Sequence, residues 1–207
     1  MRFVVSTSEL SKKLSQISGV ISSNTVLPIL EDFLFDIKEG KMKIFATDME
    51  TSMSTEVAVE AKEDGKIAIP ARILLDTLKT LPEQPLTFSF DEANFAVEIK
   101  SATGKYKLAG ENPEDFPKIP TIEDASEVEI PSEILGRAIA NTLFATSSDE
   151  LRPAMTGIFF QMETTGINFV ATDASKLVKY ARKDVSIETP ASFIVPKKAF
   201  KVFLNRI

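Results

Sequence analysis

Asp48, Glu50 and Asp173 are the side chains most readily cast in a reaction, because carboxylates are hard oxygen ligands that could hold Mg²⁺. Their context argues against that use. Asp48 closes the triplet Ala46-Thr47-Asp48, and Asp173 closes Ala171-Thr172-Asp173, 125 residues later. Two copies of one triplet are more simply explained by one structural turn made twice, so no metal and no cofactor is expected. A second acidic group, Glu31, Asp32, Asp36 and Glu39, reads as a solvated strand face and hairpin. The chain contains no histidine and no cysteine. That excludes Ser–His and Cys–His nucleophilic systems, zinc sites built on those ligands, and disulfides. Glycine-rich phosphate loops and the GxSxG nucleophile elbow are also missing from the sequence. No catalytic residue is expected.

The triplets belong to a longer repeat. Pro28-Ile29-Leu30 returns as Pro153-Ala154-Met155, and FLFDI at 33–37 returns as IFFQM at 158–162. Upstream, Leu10 and Leu14 pair with Leu135 and Ile139; downstream, after one inserted residue, Ile69-Pro70-Ala71 matches Val195-Pro196-Lys197. A period this long exceeds solenoid repeats and is the size of a domain. Two domains are expected, 1–125 and 126–207.

Within the first copy, Leu10, Leu14 and Ile17 have the spacing of an amphipathic helix over 8–19, with Ser8 as N-cap and Gly19 as stop. Alternating apolar runs at 33–37 and 42–47 flank Lys38-Glu39-Gly40-Lys41, which suits a hairpin. Strands follow at 52–59 and 66–69. Pro70 opens a helix to Leu81 that buries Ile73, Leu74, Leu78 and Leu81. Strands at 86–90, 95–100 and 105–109 precede a proline-rich linker. The second copy predicts a strand at 127–130, a helix at 132–145, strands at 157–163, 167–173, 176–186 and 192–195, then a helix from Pro196. Counterparts of the last three strands of the first copy do not follow, so the second domain is expected to be cut short within a longer protein. The pattern is α+β, with helices packed on antiparallel sheet. No apolar run approaches the roughly 18 residues of a membrane span, and the absence of cysteine makes a cytoplasmic location the expectation.

Charge is sorted by element. The four predicted helices carry +1, +1, 0 and +4, a total of +6, whereas the whole chain carries −6 and its strands and loops therefore −12. Lys197, Lys198, Lys201 and Arg206 make the last helix the most basic. A basic helical face on an acidic body could hold a polyanion by its phosphates without reading bases. Ordinary solvated lysines would give the same count.

The segments LPIL and FATDMETSM, the downstream IAIPARILLDTLKTLP and ENPEDFPKIP, and the second-copy ELRPAMTGIFFQ, FVATDASKL and FIVPKKAF resemble the bacterial β sliding clamp family, over nearly all of the chain. The resemblance implies a DNA-clamp fold with a third domain absent here. It implies a homodimeric ring closed around duplex DNA, a non-catalytic processivity factor for DNA polymerase III. Its partners would be the polymerase alpha subunit and the clamp loader, bound through short peptides. Residue by residue, it places DNA contacts at Lys12, Arg152, Lys197 and Lys198, with Lys201 and Arg206 on the same basic helix. It places a partner-peptide pocket at Met155, Thr172, Ala174, Ser175, Lys176 and Leu177, and a ring interface at Tyr106 and Leu108. Ala174-Ser175-Lys176 departs from the family's glycine-(aromatic or His)-Arg. Asn24 and Asp149 stand where residues better suited to phosphate are usual. Two other classes compete: a metalloenzyme on the carboxylates above, and a repeat scaffold that binds only proteins.

Overall fold

A computed structural model describes residues 1–21, 27–119, 128–149, 151–185 and 187–204, apart from the side chains of Lys201, Val202 and Leu204. The chain divides into two compact units, Met1–Thr121 and Ile122–Ile207.

In the first unit, strand β1 (Arg2–Ser6) runs into helix α1 (Thr7–Ile17), which buries Leu10, Leu14 and Ile17. The N-cap is Ser6 rather than Ser8: the Glu9 amide donates to Ser6 Oγ at 3.3 Å. Ser8 is occupied elsewhere, its amide donating to Glu83 Oε2 at 2.8 Å. Gly19 does not stop the helix but sits inside a 3-10 turn, Ser18–Val20. Then come β2 (Asp32–Lys38), β3 (Lys41–Thr47), β4 (Ser52–Ala58), the short β5 (Glu60–Ala61) and β6 (Gly65–Pro70). Helix α2 (Ala71–Thr80) is followed by β7 (Pro85–Phe90), β8 (Ala96–Lys100) and β9 (Lys105–Ala109).

These strands form two antiparallel sheets, β4-β3-β2-β6 and β5-β1-β7-β8-β9. Phe3 joins them. Its ring stacks on Phe88 of its own sheet at 4.8 Å and lies 6.5 Å from Phe35 of the other. All three are fully buried, and truncating any one should cost roughly 3–5 kcal/mol. In α2 the buried residues are Ala71, Leu74 and Leu78, while Ile73 is 55% exposed, contrary to expectation. Adjacent helix residues point about 100° apart, so Ile73 and Leu74 cannot both centre on the sheet.

The second unit contains α3 (Ser132–Thr142), β10 (Gly157–Glu163), β11 (Gly166–Thr172), β12 (Leu177–Arg182), β13 (Ala191–Pro196) and α4 (Lys197–Leu204). Its sheet order, β12-β11-β10-β13, is that of β4-β3-β2-β6. The register repeats as well. Leu34 opposes Phe45 as Phe159 opposes Val170, and Thr47 opposes Ser52 as Thr172 opposes Leu177. Asp32 opposes Pro70 as Gly157 opposes Pro196, which absorbs the one inserted residue. The core gathers on Phe160, whose ring meets Phe169 at 4.8 Å, Phe193 at 5.4 Å and Phe200 at 5.6 Å. The expected strand at 127–130 is not formed: 128–130 lie in no strand, and 127 is outside the described residues. Its first-unit equivalent, β1, is held by ladder hydrogen bonds to β5 and β7, and among the described residues 128–130 have no such ladder. An extended segment without a ladder partner has nothing to make it a strand.

Candidate functional site

The repeated Ala-Thr-Asp triplets make the same turn twice. In the first, Asp48 Oδ1 accepts from the amides of Glu50 (3.1 Å) and Thr51 (2.7 Å), and Thr47 Oγ1 accepts from the Met49 amide at 3.2 Å. In the second, Asp173 Oδ1 accepts from Ser175 (3.0 Å) and Lys176 (2.9 Å), and Thr172 Oγ1 from Ala174 (3.1 Å). Each carboxylate therefore serves its own backbone. Among the described residues, no cluster of three or more acidic side chains could hold a metal.

Both turns need one residue in the left-handed region, Met49 at φ 77° and Ala174 at φ 75°. Glycine adopts that conformation without penalty and alanine does not, which gives a physical reason for the glycine that the resemblance implies at position 174. The Lys176 ammonium pairs with Asp173 Oδ2. This contact first, then the Lys176 and Ser175 amides, holds the Asp173 carboxyl down at about 2. Lys176 is thus tied to its turn rather than projecting alone. Leu177, the next residue, is 68% exposed and lies across from Thr172. Met155 is half-buried in the 3-10 turn Pro153–Met155, and its carbonyl accepts from the Ser147 amide at 2.8 Å.

The basic candidates differ in how far they are committed. Lys12 is exposed on α1, and Lys198 is exposed on α4. Arg152 Nε lies 3.5 Å from Asp149 Oδ2, so the residue noted as a departure in the sequence neutralises its neighbour. Lys197 is half-buried and donates to the Ser147 carbonyl at 2.8 Å and to Ser148 Oγ at 2.9 Å. Its ammonium buttresses the 147–149 segment, a role that spacing alone gave no means of seeing. Lys201 lies on α4 without a described side chain, while Arg206 and Asn24 fall outside the described residues. Tyr106 and Leu108 alternate with exposed lysines on β9, the edge strand next to β8.

The acidic group at 31–39 is not uniformly solvated. Asp36 is paired with Lys66 at 3.2 Å, but Asp32 is 2% exposed and its Oδ2 has no hydrogen-bond partner. Burial first, then the nearby charges of Glu111 and Glu31, pushes its carboxyl from 3.8 up to about 7. In the sequence Asp32 stands between Glu31 and Phe33, a context that does not announce its burial.

Comparison with known proteins matches this duplicated architecture to two successive family domains. The DNA polymerase III beta subunit N-terminal domain matches residues 1–120, and the central domain of the same subunit matches 129–207. The chain belongs to the DNA polymerase III beta subunit family. A Chlamydia pneumoniae beta sliding clamp is 30% identical over 206 residues, 99% of this chain and 56% of that protein. The solved DNA polymerase III beta subunit from Eubacterium rectale superposes with a TM-score of 0.94 at 25% identity, covering 99% of this chain and 56% of that one. A sliding clamp from Bartonella birtlesii, solved bound to griselimycin, gives 0.88 at 26% identity, with 99% and 56% covered. The fold is that of the sliding clamp. This beta-subunit chain spans about half the length of the curated relatives it matches.

Proposed function

We propose that this chain is part of a processivity factor that encircles duplex DNA as a homodimeric ring and tethers the replicative polymerase. The observation that carries the proposal is the duplicated clamp unit, identical in strand order and register, with a basic α4 on a chain of net −6. Helices of each unit would face the duplex, and Lys12, Lys198, Lys201 and Arg206 would meet phosphates without reading bases. Arg152 and Lys197 would join them, although Arg152 also pairs with Asp149 and Lys197 also holds the 147–148 segment. Met155, Thr172, Ala174, Ser175, Lys176 and Leu177 would form part of a docking site for peptides of the alpha subunit and clamp loader. The exposed Leu177 supports that reading, since a large apolar side chain in water favours burial by a partner. Tyr106 and Leu108 would pair β9 with the neighbouring protomer. The protein would be cytoplasmic and leave catalysis to its polymerase; among the described residues no helix is long and apolar enough to cross a membrane.

A topological tether has one signature that no contact-based binder shares. Protein loaded on a nicked circle should stay bound through a wash at high salt and be lost when the circle is cut once. Equal retention on circular and linear DNA would refute encirclement. The second reading, a scaffold that binds only proteins, gains from the internal engagement of Arg152 and Lys197. It predicts no DNA association at low salt, whereas the clamp reading predicts a log–log salt slope losing about 0.9 for each phosphate contact removed.

A further inference from the structure

A groove of about 530 Å³ opens on the first unit, between the outer face of its β4-β3-β2-β6 sheet and the segment 113–119. That volume falls within the roughly 300–1,000 Å³ of ordinary ligand sites. Its floor is apolar: Leu34 and Phe45, which oppose each other across β2 and β3, with Met53, Phe116 and Ile119. Leu34, Phe45 and Ile119 are only partly buried, packed at the margin of a small cluster of Ile29, Ala68 and Phe116. On the outward face of a sheet, alternation would ordinarily place polar side chains there.

The rim carries Lys43, Lys66 and Lys118 against Asp36 and Glu114. Lys66 is spent on Asp36. Lys43 opposes Asp36 across the strands yet sits over the Phe45 ring at 5.3 Å, and neither Lys43 nor Lys118 forms an ion pair with a described carboxylate. Asp36 Oδ1 is covered and accepts no hydrogen bond from the protein. The repeat makes this local charge distinctive. In the second unit the places of Asp36 and Lys43 are taken by Gln161 and Asn168, a neutral amide pair joined at 3.2 Å.

We propose that this groove is a docking site on the first unit for a short peptide with an apolar centre flanked by acidic side chains. The apolar side chains cover Leu34, Phe45 and Met53, and the acidic flanks meet Lys43 and Lys118. The site is independent of DNA binding and of the candidate pocket around Met155 and Leu177.

The test uses a fluorescent heptapeptide with an Ile-Val-Leu centre and two glutamates on each side, and a second with lysines replacing the glutamates. Titrated against the protein, the glutamate peptide should bind more tightly. The exposed double substitution Lys43→Glu and Lys118→Glu should weaken it at least fivefold and improve the lysine peptide. Because the chain has no cysteine, location can be read by disulfide trapping. A glutamate peptide ending in cysteine should trap on Ser54→Cys, at the groove, and not on Thr103→Cys in the β8–β9 turn. Equal affinity for wild type and the charge-reversed protein overturns the proposal. So does equal trapping at both cysteines, loss of binding in Met155→Ala, or self-association through this face that the peptide does not compete away.

Discussion

Asp32→Asn should stabilise the first unit at neutral and alkaline pH and leave it little changed in acid. Asp32 is 2% exposed, and its carboxyl rises from an ordinary 3.8 to about 7 because ionisation strips it of water beside Glu111 and Glu31. Below pH 4 the folded and unfolded chains both hold the proton, and the group costs nothing. Between pH 4 and 7 the unfolded chain releases it while the folded chain keeps it, so stability falls as pH rises. Above 7 both are ionised and the loss has levelled off. A change from 3.8 to about 7 corresponds to about 4 kcal/mol. The part arising from Glu111 and Glu31, both exposed, shrinks with salt. Asparagine is isosteric and never ionises, so the variant should gain roughly 2–4 kcal/mol over wild type between pH 4.5 and 8.5. The chain has two tyrosines and no tryptophan, so in a Tyr180→Phe background Tyr106 fluorescence reports the first unit alone during urea unfolding. A stability difference that stays constant across this pH range would show that Asp32 ionises as freely folded as unfolded.

Two further expectations concern the second unit. Lys197→Met keeps the aliphatic stem and removes the donor to Ser147 and Ser148, so amide exchange at Leu151 and Arg152 should accelerate in the free protein. Unchanged exchange there would leave Lys197 as a simple surface cation. Ala174→Gly should raise stability by about 0.5–1 kcal/mol. It relieves a left-handed alanine worth roughly 1–2 kcal/mol and loses part of that to the greater freedom of an unfolded glycine. A thermal melt showing destabilisation would mean the turn is not held at φ 75°.

Much of this fold was legible in the sequence because its signals are local or repeated. The spacing of Leu10, Leu14 and Ile17, the alternation in 33–37 and 42–47, and the punctuation at Gly40 and Pro70 each reflect the period of one element against one apolar face. The 125-residue offset did more, since a turn drawn in one copy had to recur in the other. It led from Asp48 and Asp173 to a structural turn and away from a metal site, and the paired hydrogen bonds have that form. What the letters did not decide was the third dimension of each face. Ile73 and Leu74 are equally apolar, and only the angle at which α2 meets its sheet leaves one in solvent and buries the other. Asp32 looks like its acidic neighbours, yet the fold buries it where β2 begins, and its proton affinity follows from that burial. The basic residues show the same limit. Lys197 and Lys198 are adjacent and identical in type, but the fold brings the 147–149 segment within reach of one ammonium. Charge can be counted from sequence because it is additive, whereas its availability depends on which opposing groups the folded chain brings within a few ångströms.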